Sequence, residues 1–361
     1  MPTNGSPPVR RAFRWRRWAA ALIVLTPFAL LGARSINVLR QRAARERIEA
    51  TGWHVVYDDP EPTRNFVQQW LLQVPHVNNY VANLLTVEKS NVLRVTIIDG
   101  DTPAVEDDLS LLCSLPVLEA LQIHKAELSE EDVALIGSLT TLKRLNITCN
   151  SLEDSEVQEF ADLEDLQRLT ISAERVTDEG LAHLRGLQRL TLVDVPMTRV
   201  HGTAFRDFAS QKTLEAVSLG AFADVEGLSA IAGCERLEWL VLVDSRLDDA
   251  GLRPIARLSS LNNLTVSGPT SVTDLSPLVE LPRLTTLTLD GPHLRFDGLR
   301  GLQQAPALEK LVLTAGRLND AGLEEFTPPA SLMDLRLYHT SISDEAFDRF
   351  EERYPEIDLW R

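Results

Sequence analysis

Residues 166–171 read LQRLTI, and residues 187–192 read LQRLTL. Near-identity at such short range calls for a search for further copies, because a fixed period of 20–50 residues decides an architecture before any local signal does. The pattern L-x-x-L-x-L, with Val or Ile admitted, recurs as LEALQI from Leu118, LKRLNI from Leu142, LEAVSL from Leu214 and LEWLVL from Leu237. It continues as LNNLTV from Leu261, LTTLTL from Leu284, LEKLVL from Leu308 and LMDLRL from Leu332. Counted with the first two, the copies are separated by 24, 24, 21, 27, 23, 24, 23, 24 and 24 residues. Weaker copies flank the array at Val92, Val95 and Ile97 and at Ile357 and Leu359.

Within each copy the last apolar positions alternate with polar ones, as a short strand with one buried face requires. The segment that follows changes period. In ERVTDEGLAHLRGL the apolar residues Val176, Leu181, Leu184 and Leu187 fall at spacings that fit a turn leading into a brief helix. One strand and one short helix cannot bury their leucines alone, so copies must stack, each covering the next. Helix starts are marked by SEED at Ser129, TDEG at Thr177, DDAG at Asp248, NDAG at Asn319 and SDEA at Ser343. Such residues cap free backbone N–H groups, and carboxylates suit the positive end of a helix. Much of the acidity is thereby assigned to capping rather than to calcium loops, whose ligand spacing is absent. The longer interval between Leu187 and Leu214 predicts a longer outer helix within TRVHGTAFRDFAS, and Pro277 and Pro282 predict an extended or 3₁₀ piece in VTDLSPLVELP.

Charge is distributed unevenly. Residues 1–50 carry ten Arg against Glu46 and Glu49, a balance of +8, which leaves −24 for the remainder of a chain whose total is −16. A body so acidic repels phosphate backbones, which argues against nucleic-acid binding. Arg10, Arg11, Arg14, Arg16 and Arg17 precede the uncharged stretch WAAALIVLTPFALLGA at 18–33, and Arg34 ends it. We read 18–33 as a single uncleaved signal-anchor, slightly short of the roughly 20 residues of a full span but extended by snorkelling arginines and interfacial Trp15 and Trp18. A cleaved signal peptide is the competing reading. The divisions that follow are a basic tail at 1–17, the anchor at 18–33, a juxtamembrane helix at 34–50, a capping segment at 51–90 and about 11–12 repeats over 91–361. The expected topology is single-pass, with the repeats outside the cytoplasm.

The repeats resemble those of the membrane-tethered leucine-rich-repeat proteins of planctomycete bacteria, on the TDEGL signature at 177–181 and its near matches at 248–252 and 319–323. IEATGWHVVYDDPEP at 48–62 resembles the short β-hairpin that opens the array in that family. The resemblance covers most of residues 10–361. It implies an α/β leucine-rich-repeat solenoid, a curved parallel sheet with short helices on its convex side, preceded by one N-terminal transmembrane helix. It implies no particular activity. The asparagine that often ends the repeat strand in this superfamily appears at Asn150, while Glu174, Ser245 and Thr340 hold equivalent places, so other small polar groups must satisfy those turns.

No chemistry-bearing motif emerges. The seven histidines are scattered, with no HExxH, no P-loop, no G-x-G-x-x-G after a strand and no G-x-S-x-G elbow. Cys113, Cys149 and Cys234 show no CxxC and read as small buried fillers. The chain is therefore expected to be neither enzyme nor cofactor or metal protein, with no small-molecule substrate implied. What a solenoid offers is its concave strand face, where outward positions follow from the register. Between consecutive core leucines stand Arg144, Arg168 and Arg189, a ladder suited to a carboxylate-bearing partner. Further along, Trp239, Val241 and Val243 place apolar groups on one rung, with Tyr338 beyond. The expected function is protein–protein interaction through Arg144, Arg168, Arg189, Trp239, Val241 and Tyr338. A structural spacer in the cell envelope is the alternative.

Overall fold

The computed structural model describes residues 46–47, 53–57, 92–98, 109–115, 117–315 and 317–361. The signal-anchor expected at 18–33, most of the juxtamembrane segment and most of the capping segment lie outside the described residues. Among the described residues no helix is long and apolar enough to cross a membrane. The chain divides into two compact units, one of residues 1–95 with 102–118, the other of 96–101 with 119–361. The first contains strand β1 (His54–Tyr57), most of β2 (Val92–Ile98) and a 3₁₀ turn, Leu109–Ser114. Its described core includes Trp53, Val95, Leu109 and Leu112. The flanking copy read at Val92, Val95 and Ile97 is indeed a strand, with Val95 and Ile97 buried.

In the second unit the strands follow one another as β3 (Ala120–His124), β4 (Arg144–Thr148), β5 (Arg168–Ser172), β6 (Leu192–Val195) and β7 (Ala216–Leu219). They continue as β8 (Trp239–Leu242), β9 (Asn263–Val266), β10 (Thr286–Asp290), β11 (Lys310–Thr314), β12 (Asp334–Tyr338) and β13 (Asp358–Trp360). Each pairs in parallel with its sequence neighbours. Parallel neighbours need a crossover, and the short helices supply it. Leu145, Leu169 and Leu240 are 1 %, 0 % and 0 % exposed, so the leucine spine faces inward as the period demands. This is a leucine-rich-repeat solenoid.

The opening stretch is where the structure departs from its reading. The strand of that rung is Leu192–Val195, and Arg168 pairs with Leu192 while Leu169 pairs with Val193. The motif is therefore LTLVDV from Leu190, not LQRLTL from Leu187. Leu190, Val193 and Val195 are all buried, whereas Leu192 is half-exposed. With this register, the spine leucines from Leu142 to Leu332 fall 24, 24, 24, 23, 24, 23, 24 and 24 residues apart. The apparent 21 and 27 disappear. So does the lengthened outer helix, which is only Phe205–Phe208. Leu187 is buried in the turn before the strand, where Leu163 sits one rung earlier, so two leucines three residues apart both fit the pattern. The 3₁₀ piece expected at Pro277 is present, as Ser276–Glu280.

All five predicted caps are formed. Ser129, Thr177, Asp248, Asn319 and Ser343 accept from the backbone N–H of Asp132, Glu179, Gly251, Gly322 and Ala346 at 3.1, 3.2, 3.0, 3.1 and 3.3 Å. The first acidic residue of several helices does more, reaching the next rung. Asp154 accepts from the Thr177 amide at 2.7 Å and its hydroxyl at 2.6 Å. Asp249 takes the amide and hydroxyl of Thr273, both at 2.7 Å, and Asp320 takes those of Ser343 at 2.6 and 2.8 Å. Asp178 gathers the amides of His201, Gly202 and Ala204. These carboxylates staple consecutive rungs along the outer turns. A glycine three places after the stapled residue makes room for one such carboxylate, since a Cβ on Gly180 would lie 2.5 Å from Asp154 Oδ1; at another joint a Cβ on Gly298 would lie 2.0 Å from the Thr273 carbonyl oxygen. Asn150 is exposed, and the strand-ending turns are served instead by Ser151 to Leu128, Thr198 to Val195 and Thr270 to Asp290. Of the cysteines, Cys149 and Cys234 are buried, but Cys113 is exposed on its 3₁₀ turn rather than filling the core.

Three outcomes follow from this packing. The Ser343 amide and then its hydroxyl hold the Asp320 carboxyl below the usual carboxylate range. Its stabilisation is therefore fully present above the unfolded value of about 3.9 and is lost as pH falls through the lower folded value. Asp320→Asn is expected to lower the Tm at pH 7, with a deficit relative to wild type that shrinks below about pH 4. Gly298→Ala should cost about 1–3 kcal/mol in urea melts, while Gly186→Ala, with nothing within 4 Å of the added carbon, leaves the midpoint unchanged. Burial pushes the Cys234 thiol up to about 11, so in native protein a disulfide reagent should titrate Cys113 before Cys149 and Cys234, which react only on unfolding.

Candidate binding surface

The alternate residues of each strand point away from the spine, and the register orders them into rows. In the first row Arg144 stands beside Arg168, Arg168 beside Leu192, Leu192 beside Ala216, Ala216 beside Trp239, and Trp239 beside Asn263. The expected ladder of three arginines is thus a pair. Arg189 falls outside the row, in the turn before β6, because Leu192 takes its place. There it forms an ion pair with Asp165 of the preceding rung.

Arg144 and Arg168 stand directly opposite each other on neighbouring strands. Both are exposed, and neither makes an ion pair among the described residues. Lys143 pairs with Glu119 at 2.7 Å, Arg175 with Glu153 at 2.7 Å and Lys310 with Asp334 at 3.1 Å. The strands of Arg144 and Arg168 lie about 5 Å apart. Like charges directly opposite are destabilising in a sheet. An anionic group lying across both would relieve that repulsion and accept from two planar forks.

Next to this pair the row turns apolar. Leu192 and Ala216 are half-buried and Trp239 is 51 % exposed. Val241, between Ser218 and Thr265 in the second row, is half-buried, as is Val243. Val193, which the register starting at Leu187 would turn outward, is fully buried. Arg144, Arg168, Leu192, Ala216 and Trp239 therefore occupy consecutive rungs, a basic end leading into an apolar one. The sequence reading missed Leu192; the near-constant 24-residue spacing was the signal that could have found it.

Tyr338 is not part of this arrangement, since β9, β10 and β11 lie between its strand and that of Trp239. It interacts with Arg336, in a self-satisfied polar group. Asp334 accepts from Arg336 at 2.9 Å and pairs with Lys310, and Arg336 lies 5.2 Å over the exposed Trp360 ring. The Arg336 hydrogen bonds, with Lys310 adding to them against the cost of burial, hold the Asp334 carboxyl below the ordinary carboxylate range. No set of three or more His, Cys, Asp or Glu among the described residues could hold a metal ion.

No protein-family model matches the chain. No curated protein matches it either. Among solved structures it is similar to an internalin (inlF) of Listeria monocytogenes, at 16 % identity and a TM-score of 0.47 over 81 % of this chain and 92 % of that one. It is also similar to an internalin C2 of the same organism, at 18 % identity and a TM-score of 0.37 over 65 % and 83 % of the two chains. The leucine-rich-repeat architecture stands on this chain's own strands, register and buried spine.

Proposed function

We propose that the chain is a membrane-anchored leucine-rich-repeat protein that binds an acidic segment of a protein partner across its strand face, without catalysis. The observation that carries this reading is the unpaired Arg144–Arg168 couple in register with the Leu192–Ala216–Trp239 row. A carboxylate-bearing segment would lie on the arginines and place an apolar side chain against Trp239, the combination of charged clamp and aromatic anchor that dominates many interfaces. Support for the anchor is the uncharged stretch at 18–33 with arginines at both ends. The repeats then lie outside the cytoplasm, which protease accessibility in intact cells tests.

One observation favours a second reading. Several basic side chains of the repeat unit are paired with an acid one rung away, as in Arg189–Asp165, Arg175–Glu153 and Arg349–Glu324, which is what a self-contained spacer needs. The two readings separate experimentally. Proteins captured from membranes by wild type should be lost with Arg144→Glu/Arg168→Glu and weakened by about 2 kcal/mol or more with Trp239→Ala. Arg189→Glu should leave capture unchanged, and wild-type capture should weaken as salt is raised. Undiminished capture by folded Arg144→Glu/Arg168→Glu assigns the protein to the spacer reading.

A further inference from the structure

The aspartate staples do not run unbroken along the outer turns. The helix Phe296–Leu299 begins with Phe296 where the helix Asp320–Glu325, 24 residues later, begins with Asp320. Phe296 has no carboxylate with which to reach Asn319, the cap of the next rung. At the same joint Arg295 occupies the cap position that Ser, Thr, Asp or Asn fills at other helices, and it makes no cap hydrogen bond. A cleft of about 590 Å³ opens here, between Arg295 and Arg300 on one rung and Arg317 and Glu325 on the next. A second cavity of about 390 Å³ shares the walls Arg295, Asp297 and Arg317 and reaches His293 and Ser271.

The charge of the cleft is set by which groups are already engaged. Asp297 and Glu325 both bind Arg300, at 3.0 and 3.3 Å. Arg295 and Arg317 make no ion pair among the described residues. Two uncommitted guanidiniums thus face one cavity in a protein whose net charge is −16. The joint between Val225 and Asp248, which also lacks a staple, has the acid Asp224 where this one has Arg295, and Asp224 is itself bound to His201 at 2.9 Å.

We propose that this cleft binds a tetrahedral oxyanion, a phosphate or sulfate monoester, held between Arg295 and Arg317. Guanidinium forks match tetrahedral oxyanions, and two of them from consecutive rungs can grip one group from both sides. The bound anion supplies across this joint the acceptor that Asp154, Asp249 and Asp320 supply at theirs. Binding therefore ties the two rungs together and stabilises the fold.

The test is a thermal-shift titration of the full chain with inorganic phosphate and with sulfate, against chloride at equal ionic strength. A saturable rise in Tm with the oxyanions is expected, with affinity falling roughly tenfold for each guanidinium removed in Arg295→Gln and Arg317→Gln. Both side chains are exposed, and Tm without anion checks that the variants fold. Arg144→Glu/Arg168→Glu should retain the response, so failure here and failure of the strand-face reading are distinct. Phenyl phosphate, and phosphatidylcholine vesicles with and without phosphatidate, separate a soluble ester from a lipid headgroup; a response to either that Arg295→Gln/Arg317→Gln abolishes supports the site. A response no larger than that to chloride, or one that survives in Arg295→Gln/Arg317→Gln, overturns it.

Discussion

A rung of this solenoid has no interior of its own. Leu145 on β4 is covered only because Leu121 lies on one side and Leu169 on the other, both directly in register and both nearly inaccessible to water. Burial of a leucine stabilises by roughly 1.5–3 kcal/mol, but here each increment is conditional on neighbours that are themselves conditional. That dependence fixes the length of every repeat. A rung one residue out of step would turn its apolar positions to the solvent, since side chains alternate across a strand. The near-constant spacing of spine leucines is the record of that constraint.

The acidity of the chain has an interior logic as well. Asp154, Asp178, Asp249 and Asp320 look from the sequence like ordinary charged helix starts, yet each spends its carboxylate on the following rung. For Asp249, burial alone raises the pKa, and the hydroxyl and amide of Thr273 with the amide of Asp274 more than reverse it. Acids that serve the fold in this way are unavailable to ligands. Both binding proposals rest instead on two couples of unpaired guanidiniums placed together by the fold, Arg144 with Arg168 on one strand row and Arg295 with Arg317 on one cleft.

Repetition, parallel strands, inward leucines and all five named caps were legible in the residues, because each depends on local spacing or on a side chain and a backbone a few residues apart. The register of one rung was not. In LQRLTLVDV the candidates Leu187, Leu190 and Leu192 compete with Leu190, Val193 and Val195, and only pairing with Leu169 and Val217 on the adjacent strands decides between them. That single slip carried Arg189 into a row it does not occupy and concealed Leu192. The staples and the cleft at Arg295 were likewise invisible, since both join residues some two dozen positions apart through side-chain reach rather than through any periodic pattern.

The two hexapeptides that first betray the repeat are, in the folded chain, not equivalent. They are offset by 21 residues where a rung occupies 24. A recombination event that aligned the coding sequences of these look-alikes would excise three residues too few, and the surplus would swell one turn against its neighbours. Gene-level growth or shrinkage of the array stays in frame with the fold only when breakpoints respect positions such as Leu166 and Leu190. Resemblance of letters is thus a poor guide to common descent within this chain, and matched depth in the spine is the better one.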